Sequence, residues 1–599
     1  MKQRILSIVA GATVFAGGLA AASGPAQAGP PAACGSKWTT YTRPAAHQIV
    51  KQENVHITMS DGARLAADIN LPSAPAGTKF PTIVTQTPYT KTALGAEPFF
   101  VERGYAQVVV EVRGTGTSEG KWRGFDAREQ RDGYEILEWV RRQQWSDGRL
   151  ATYGASYMAI NQFLTAAQHP RGLKAMFPIV PMADPYRDII FVGGQDNVAF
   201  IPAWLGLVTG LSLAPGSNTL QSPTVGAGAL AAHAQSAAEY QAPTVVDGAT
   251  GGDIAFDSPY WRSRAPIEAA KKVKVPAFIT GGLHDLFQRG EPMLYERLRS
   301  QGVTTKLLMG PWGHLNGSSG AGLPVDGVPA LTNIALRWFD QYVLGKKVGA
   351  ECLPQVTQYL LGQGHFEVQP DWPHPNLKAQ REYLQPERAL SRLLPGVNGG
   401  SDVLPQNTLS GTCSRSTNQW LMGTLDSTPC HTDNRLTEAS EVTYTTNALA
   451  RDTRLAGPMA ARIWLTTTAH EAVLAVRVTD VAPDGTSTEL STGLVSAVHR
   501  AVDAKKSRIV NGINLQPWHP YSRAALSPVT ANEPMALDAE IFPTNALIKA
   551  GHRIRLSVGT SDFPHAASPA PAASEALGGL VTIHHDATHP SSVALPVIN

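Results

Sequence analysis

The first half of the chain alternates between short apolar runs and amphipathic stretches. Apolar residues at 55, 57 and 59 alternate with polar ones, and a turn at 61–62 leads into a second run over 65–71, which predicts a β-hairpin. Residues 128–143 place apolar side chains on one face of a helix. Further apolar runs predict strands over 80–86, 105–112, 150–154, 173–180, 273–280 and 305–309. This alternation favours an α/β domain with a mainly parallel sheet.

Two later stretches depart from this pattern. An apolar cluster at 204–208 and an alanine-rich run over 227–240 predict a helical insertion. Beyond residue 351 short strands such as 462–466, 473–479 and 552–558 dominate, which is typical of a β-sandwich. The predicted domains are an α/β core in two parts, 47–184 and 266–350, a helical cap over 185–265, and a C-terminal β domain over 351–599.

The length and charge of the chain limit the kinds of partner. At 599 residues the chain is too long for a single core. Its net charge of +2 gives neither the basic patch of a nucleic-acid binder nor an acidic tail. We therefore expect a small-molecule or short-peptide partner and no nucleic acid, and the pattern does not indicate an oligomeric state.

The N-terminus has the features of an export signal. Lys2 and Arg4 precede an apolar run over 5–22, and Ala26-Gln27-Ala28 forms a small-residue cleavage site. The sequence predicts a signal peptide over 1–28, with an uncleaved membrane anchor as the alternative. Because no other apolar run is long enough to cross a bilayer, we expect a secreted or extracytoplasmic protein without a membrane span after cleavage.

The chain has four cysteines, Cys34, Cys352, Cys413 and Cys430. An even number in an exported protein favours disulfide bonds. Cys413 and Cys430 are close together in a polar, turn-rich segment and are the preferred pair, which leaves Cys34 with Cys352. The alternative is free thiols.

Residues 150–159, L-A-T-Y-G-A-S-Y-M-A, resemble a nucleophile elbow. A strand ends near Gly154, Ser156 follows, and a helix begins after it, as in the G-x-S-x-G turn of serine hydrolases. Met158 stands where the second glycine belongs, so the motif is incomplete. A serine at a strand–helix turn can also be a simple helix N-cap.

A candidate acid and base follow at later strand ends. Asp285 lies in the loop after the strand predicted at 273–280, and His314 lies in the loop after the strand at 305–309. The order Ser156, Asp285, His314 is that of a Ser-His-Asp triad in α/β-hydrolases. Asp285 could instead cap a helix, and His284 is a competing base.

Two other features could indicate a nucleotide-binding loop and a metal site. The glycine-rich segment 113–120, R-G-T-G-T-S-E-G, matches neither the dinucleotide nor the P-loop motif. The histidines 584, 585 and 589 lie in the β region with a spacing that suits no helix face. We expect neither a metal ion nor an organic cofactor.

Several segments together resemble the CocE/NonD family of serine hydrolases, which is related to X-Pro dipeptidyl-peptidases and α-amino-acid ester hydrolases. They are Pro88-Tyr89, R-G-T-G-x-S-E-G, G-x-S-Y, G-G-L-H-D, G-P-W-G-H, and, in the C-terminal region, F-P-T-N-A, G-H-R-I-R-L and S-D-F-P. These segments span most of the chain that follows the predicted signal peptide.

The resemblance implies an α/β-hydrolase core with an inserted helical cap and a C-terminal jelly roll. It makes Ser156 the nucleophile, His314 the base and Asp285 the orienting acid. It also implies an oxyanion hole formed by the Tyr89 hydroxyl and the Tyr157 backbone N–H, two groups that can donate to a developing alkoxide. Ala159 stands where many relatives carry glycine.

Three functions follow as hypotheses. The first is an acyl hydrolase that cleaves esters or amides of small molecules. The second is an X-Pro dipeptidyl-peptidase, which needs a carboxylate for the substrate ammonium, with Asp184, Asp188, Asp253 and Asp257 as candidates. The third is an inactive hydrolase fold that serves as a binding module.

Overall fold

The computed structural model describes residues 37–92, 97–214, 223–424 and 428–598. The predicted signal peptide and Cys34 lie outside the described residues. Within the described ranges, no helix has both the length and the apolar character needed to cross a membrane.

The first sheet is built from the strands of the N-terminal part of the chain. Its ten strands have the order β1-β2-β4-β3-β5-β6-β9-β10-β11-β12, and β7 and β8 form a separate hairpin. From β4 to β11 neighbouring strands run parallel, so their carboxyl ends lie at one edge. The strands are β1 (Ile49–Thr58), β2 (Arg64–Pro72), β3 (Phe80–Thr87), β4 (Ala106–Glu111), β5 (Ser146–Ala155), β6 (Leu173–Ile179), β7 (Phe191–Val192), β8 (Gln195–Asp196), β9 (Ala277–Gly282), β10 (Thr305–Gly310), β11 (Val356–Leu360) and β12 (His365–Gln369).

Helices accompany this sheet, and its strands contribute to two apolar clusters. Helix α2 is amphipathic as predicted, begins after the N-cap Asp126 and buries Ile136, Leu137 and Val140. The helices are α1 (Pro98–Val101), α2 (Ala127–Arg141), α3 (Tyr157–Ala166), α4 (Phe200–Leu213), α5 (Pro223–Ser236), α6 (Ala242–Ala249), α7 (Pro259–Arg262), α8 (Pro266–Ala270), α9 (Gly290–Ser300), α10 (His314–Ser319) and α11 (Leu331–Tyr342).

The segment between β6 and β9 is mainly helical, as the sequence predicts. It contains α4 to α8, π-helical turns at Tyr186–Ile190 and Ala237–Gln241, and a 3₁₀ turn at Asp253–Ala255. The short hairpin of β7 and β8 precedes α4. This segment therefore lies in the chain between Ser156 and the loops that carry Asp285 and His314.

The first sheet continues past residue 351, where we placed the start of the β domain. Strand β11 pairs in parallel with β10, and β12 pairs with β11 in the antiparallel sense. The polar composition after residue 352 gave no sign of these two strands.

The C-terminal region forms a second, eleven-stranded sheet with the order β15-β24-β17-β22-β19-β18-β23-β16-β14-β13-β25. Strand β25 also pairs with β17, so the sheet closes on itself around an apolar core. The predicted fold class, an α/β core followed by a β domain, is confirmed. The strands are β13 (Leu377–Gln385), β14 (Ala389–Ser391), β15 (Ser401–Pro405), β16 (Val442–Thr445), β17 (Thr453–Thr467), β18 (Val473–Val481), β19 (Ser487–Ser496), β20 (Arg508–Val510), β21 (Ile513–Gln516), β22 (Met535–Ile548), β23 (Arg553–Gly559), β24 (Leu580–His584) and β25 (Ser592–Ile598).

The C-terminal region also contains short helices. It shares a buried apolar cluster with the N-terminal part of the chain. The helices are α12 (Arg415–Trp420), α13 (Arg435–Glu438) and α14 (Ala570–Ala576), with 3₁₀ turns at Ala350–Cys352, Pro386–Arg388, Ala497–His499 and Arg523–Ala525. Trp420 and Phe542 belong to the same buried cluster as Tyr157 and Phe287. Arg289 connects the regions through ion pairs of 2.8 Å to both Asp188 and Glu540.

Candidate active site

Ser156 lies at the turn between strand β5 and helix α3. Its backbone has φ 59° and ψ −123°, a conformation that residues with a Cβ rarely adopt. Its N–H donates to the carbonyl of Ile179 at 2.9 Å, and its carbonyl accepts from the N–H of Ile160 at 2.9 Å. This turn holds Ser156 at the carboxyl end of β5, as in a nucleophile elbow.

Gly154 allows the tight turn, although the second motif glycine is replaced. Its φ is +142°, and a Cβ at this position would lie 2.6 Å from the Cβ of Met158. Met158 therefore occupies space that a side chain at 154 would need. Ala159 is fully buried, and its N–H donates to the Ser156 carbonyl at 2.8 Å, so the methyl group that relatives lack is accommodated.

His314 lies between Ser156 and Asp285. Its Nε2 is 2.8 Å from the Ser156 Oγ, and its Nδ1 is 2.8 Å from the Asp285 Oδ2. The three residues follow strands β5, β10 and β9, whose carboxyl ends share one edge of the sheet. The structure thus brings together all three residues that the sequence suggested as a triad.

Asp285 is held by its own loop as well as by His314. Its side chain is completely buried, and its Oδ1 accepts the N–H of Phe287 at 2.6 Å. The Phe287 ring lies edge-on to the His314 ring at 5.2 Å between centroids. Burial and the charge of Asp285 together raise the pKa of Glu291 well above its usual range. Asp285 does not cap the next helix, α9, whose N-cap is Arg289.

His284 is not the residue that contacts Ser156. Burial and the nearby charge of Arg415 hold the pKa of His284 well below its usual range. Its backbone N–H donates to the carbonyl of Trp312 at 3.0 Å, which joins the two loops that carry Asp285 and His314. A structural role for His284 fits these contacts.

The predicted oxyanion donors both lie beside Ser156. Tyr157 is the first residue of helix α3, so its backbone N–H has no partner within the helix. Tyr89 follows strand β3, and burial raises the pKa of its hydroxyl, an increase that hydrogen bonds with Trp204 and Ser156 partly offset. The Tyr89 hydroxyl is therefore a neutral group next to the serine.

The Tyr157 ring is fixed by polar contacts on its far end. Its hydroxyl donates to the Glu129 Oε1 at 2.7 Å and accepts from the Trp122 Nε1 at 3.0 Å. The ring also stacks on Phe125 with 4.0 Å between centroids. Glu129 is fully buried, and burial raises its pKa to about 8. These contacts hold the first turn of α3, and with it the Tyr157 N–H.

Family models match both parts of the chain. The X-Pro dipeptidyl-peptidase (S15 family) model matches residues 61–316, and the X-Pro dipeptidyl-peptidase C-terminal non-catalytic domain matches 348–594. The chain is a serine hydrolase whose residues 61–316 match the S15 family. The resemblance to CocE/NonD-type hydrolases that the motifs suggested is confirmed.

Individual relatives of this serine hydrolase span almost its full length. The cocaine esterase of Rhodococcus is 26% identical over 91% of this chain and 98% of its own. A Mycobacterium bovis protein assigned as a serine esterase is 26% identical over 92% of this chain and 96% of its own. A CocE/NonD family hydrolase from Staphylococcus aureus has the same fold, with a TM-score of 0.69, 19% identity and coverage of 92% of this chain and 94% of its own.

A cavity of about 130 Å³ is lined by Ser156. Its wall combines the elbow region with the helical segment between β6 and β9, and it is mostly aromatic and aliphatic. Lining residues include Tyr89, Trp122, Tyr157, Phe200, Trp204, Trp261 and Phe287. The shape and the apolar wall suit an aromatic or aliphatic group of a substrate.

The carboxylates proposed for a substrate ammonium are engaged elsewhere. Asp184 and Asp257 both pair with Arg187 at 2.8 Å, and Asp188 pairs with Arg289. Asp253 pairs with Arg523 at 2.9 Å and is 96% exposed. These four residues are absent from the lining of the cavity beside Ser156.

Asp196 is a carboxylate that does line the cavity, and the sequence reasoning missed it. It lies at the end of the hairpin β7–β8, where its backbone also pairs with Ala567 of the β domain. Burial raises the pKa of Asp196 to about 6, and no charged side chain among the described residues contributes to this shift. The only sequence signal was the Gly193-Gly194 turn before it.

The predicted disulfide and the histidine cluster lie in the β domain. Cys413 and Cys430 are joined by a disulfide bond. Cys352 is also a disulfide cysteine, and its predicted partner Cys34 lies outside the described residues. His585 contacts Asp402 at 3.1 Å, and across the described part of the chain no group of three or more metal-ligating side chains could hold an ion.

Proposed function

We propose that this protein is an exported serine hydrolase that cleaves ester or amide bonds of small molecules through Ser156, His314 and Asp285. The observation that carries this proposal is the position of the His314 ring, with one nitrogen 2.8 Å from the Ser156 Oγ and the other 2.8 Å from the Asp285 carboxylate. This arrangement is what a nucleophile, its base and an orienting acid require.

In the acylation step, His314 Nε2 accepts the Ser156 proton while the Oγ attacks the substrate carbonyl carbon. Asp285 holds the Nδ1–H and stabilises the imidazolium that forms. The carbonyl oxygen becomes an alkoxide that the Tyr89 hydroxyl and the Tyr157 N–H stabilise by donating hydrogen bonds. His314 then gives its proton to the leaving alcohol or amine, which departs as the carbonyl reforms.

Water releases the acyl group by the same steps. His314 takes a proton from the water molecule, the hydroxide attacks the ester carbonyl of the acyl-enzyme, and Ser156 leaves with the proton that His314 returns. The steps use only side chains and backbone groups of this chain and water.

The test is a panel of p-nitrophenyl esters with short, branched and aromatic acyl groups. We expect turnover that Ser156→Ala abolishes, and a fluorophosphonate adduct on Ser156 by mass spectrometry. Absence of the adduct on folded protein would favour the binding-module hypothesis over catalysis. A Ser156→Ala variant with undiminished turnover would overturn the assignment of the nucleophile.

The proposal that the protein is exported rests on the predicted signal peptide and on the disulfide bond between Cys413 and Cys430. N-terminal sequencing of protein recovered outside the cytoplasm tests it, and we expect a mature chain that begins near Gly29. A chain recovered there with Lys2 and Arg4 intact would instead support an uncleaved anchor.

Asp196 favours a second candidate function, an X-Pro dipeptidyl-peptidase. Asp196 is a half-buried carboxylate in the cavity next to Ser156 with no ion-pair partner among the described residues, and it would bind the protonated N-terminus of a peptide. Under this hypothesis X-Pro-p-nitroanilides are cleaved, and Asp196→Asn raises their KM without changing turnover of neutral esters. Ester turnover without X-Pro cleavage excludes the peptidase.

A further inference from the structure

Trp204 contacts the oxyanion donor Tyr89 directly. Its indole Nε1 donates a hydrogen bond of 3.0 Å to the Tyr89 hydroxyl oxygen. Trp204 lies on helix α4, in the helical segment that follows the elbow in the chain, whereas Tyr89 follows strand β3. A residue outside the loops of the sheet thus reaches the group proposed to stabilise the alkoxide.

The chemistry of the two groups fixes the direction of this bond. An indole N–H can only donate, whereas a phenol has one proton to donate and lone pairs to accept. Tyr89 must therefore accept from Trp204, and its own proton has to point elsewhere. Tyr89 and Ser156 line the same cavity, so a substrate carbonyl bound there is an acceptor within reach of this proton.

At the other end of the site, the Asp285 carboxylate fixes the direction of the hydrogen bonds that His314 makes. The Asp285 carboxylate accepts, so the His314 Nδ1 donates and the Nε2 is left to accept from Ser156. The Ser156 proton is therefore committed to His314 and is not donated to Tyr89.

The Trp204 ring is held where this bond requires it. It packs against Trp122 at 5.7 Å, against Tyr157 at 6.4 Å and against Phe200 at 6.4 Å between centroids. The start of α4 is fixed by the buried Asn197, whose Oδ1 accepts the Phe200 N–H at 3.1 Å. The indole is therefore preorganised rather than placed by a substrate.

We propose that Trp204 is a positioning residue that directs the Tyr89 proton toward the substrate's carbonyl oxygen, so that the oxyanion hole is completed by the helical segment. This inference rests on the proposed function, because it concerns the same reaction. Trp204 acts through Tyr89 and through its indole N–H, and not only through the apolar surface that it adds to the cavity.

The experiment is a double-mutant cycle between Trp204→Phe and Tyr89→Phe, with p-nitrophenyl butyrate as substrate. Tyr89→Phe should lower kcat by about 100-fold, the effect of losing one oxyanion donor. Trp204→Phe keeps an aromatic ring but removes the N–H, and should lower kcat by about tenfold with KM changed less than twofold. In the Tyr89→Phe background Trp204→Phe should have almost no further effect on kcat.

Additive losses in this cycle, or a Trp204→Phe change confined to KM, would overturn the inference because they indicate packing alone. Trp38→Phe is the matched control: its indole N–H donates to the Thr357 Oγ1 at 3.1 Å, away from this cavity, so its effect should add to that of Tyr89→Phe. If Trp204→Phe does not fold, replacement of Trp204 by 3-benzothienylalanine keeps the shape, removes the N–H and gives the same test.

Failure of the inference and failure of the proposed function are distinguishable. An active Ser156→Ala variant would refute the hydrolase mechanism, whatever the cycle shows. Ester turnover that depends on Ser156, combined with full activity of the benzothienylalanine variant, would refute only the role of Trp204.

Discussion

The Gln419 side chain donates a hydrogen bond of 2.8 Å from its Nε2 to the backbone carbonyl of Asp285. The same Nε2 donates to the Oε1 of Gln288 at 3.0 Å. The Nε2 of Gln288 in turn donates to the carbonyl of Pro543 at 2.6 Å. Gln419 belongs to helix α12, which follows the first sheet in the chain. The loop that holds the proposed acid residue is therefore supported by the C-terminal part of the protein.

Replacing Gln419 by Leu should impair both stability and turnover. The substitution leaves the buried Asp285 carbonyl without this donor, at a cost of about 1–3 kcal/mol in the free energy of unfolding. A looser loop should lower kcat severalfold through the position of Asp285. Thermal unfolding and ester kinetics measure the two effects, with Gln363→Ala on the surface as control. Wild-type kcat in Gln419→Leu would show that this contact does not support the acid loop.

Asp285→Asn should reduce kcat by about 10⁴-fold, because an amide no longer fixes the His314 tautomer that accepts from Ser156. Asp285 and His314 are both buried, so bulk solvent does not supply another acceptor for the Nδ1–H. Initial rates on a p-nitrophenyl ester measure the loss, and the exposed Asp484→Asn provides the control. A loss below tenfold would contradict the role assigned to Asp285.

Glu129→Gln should change how stability depends on pH. Burial raises the pKa of Glu129 from 4.5 to about 8 in the folded protein. Between these values the folded state binds a proton that the unfolded state does not, so wild-type stability falls as pH rises, by about 1.4 kcal/mol per unit.

Glutamine does not titrate, so the stability of Glu129→Gln relative to wild type should increase from pH 5 to pH 8. Urea unfolding at pH 5, 6.5 and 8 measures this difference, with Glu533→Gln on the surface as control. A difference that stays constant over this range would show that Glu129 is ionised in the folded protein.

Gly154→Ala should lower the stability of the protein and the reactivity of Ser156. The backbone at 154 has φ +142°, and the added Cβ would meet the Cβ of Met158 at 2.6 Å. Such overpacking costs about 1–3 kcal/mol and should displace Ser156. Gly77→Ala is the matched control, since its φ is +83° but no atom lies within 4 Å of the new Cβ. Thermal unfolding and the rate of fluorophosphonate labelling compare the two, and equal effects would contradict the steric cause.

Local sequence patterns predicted the parts of the fold and site that depend on the sheet. Strand ends and small turn residues place Ser156, Asp285 and His314 at one edge, and the chain order of these residues follows from the parallel topology. Strands β11 and β12 were missed because each is only five residues long and lies in a segment whose polar composition resembles a linker.

Residues that act through long-range contacts carry no local signal. Gln419 reaches Asp285 across 134 positions, and Trp204 reaches Tyr89 across 115. Asp196 was overlooked for the same reason. Unlike Asp184 and Asp188 it has no arginine partner among the described residues, which only the folded arrangement reveals.

The Cys413–Cys430 bond encloses the helix that carries Gln419. Cross-linking a segment lowers its freedom in the unfolded chain and restricts its excursions in the folded one. Recombinant material made in a reducing host would therefore keep its architecture but hold the acid loop less firmly, and its specific activity would depend on the oxidant present during production.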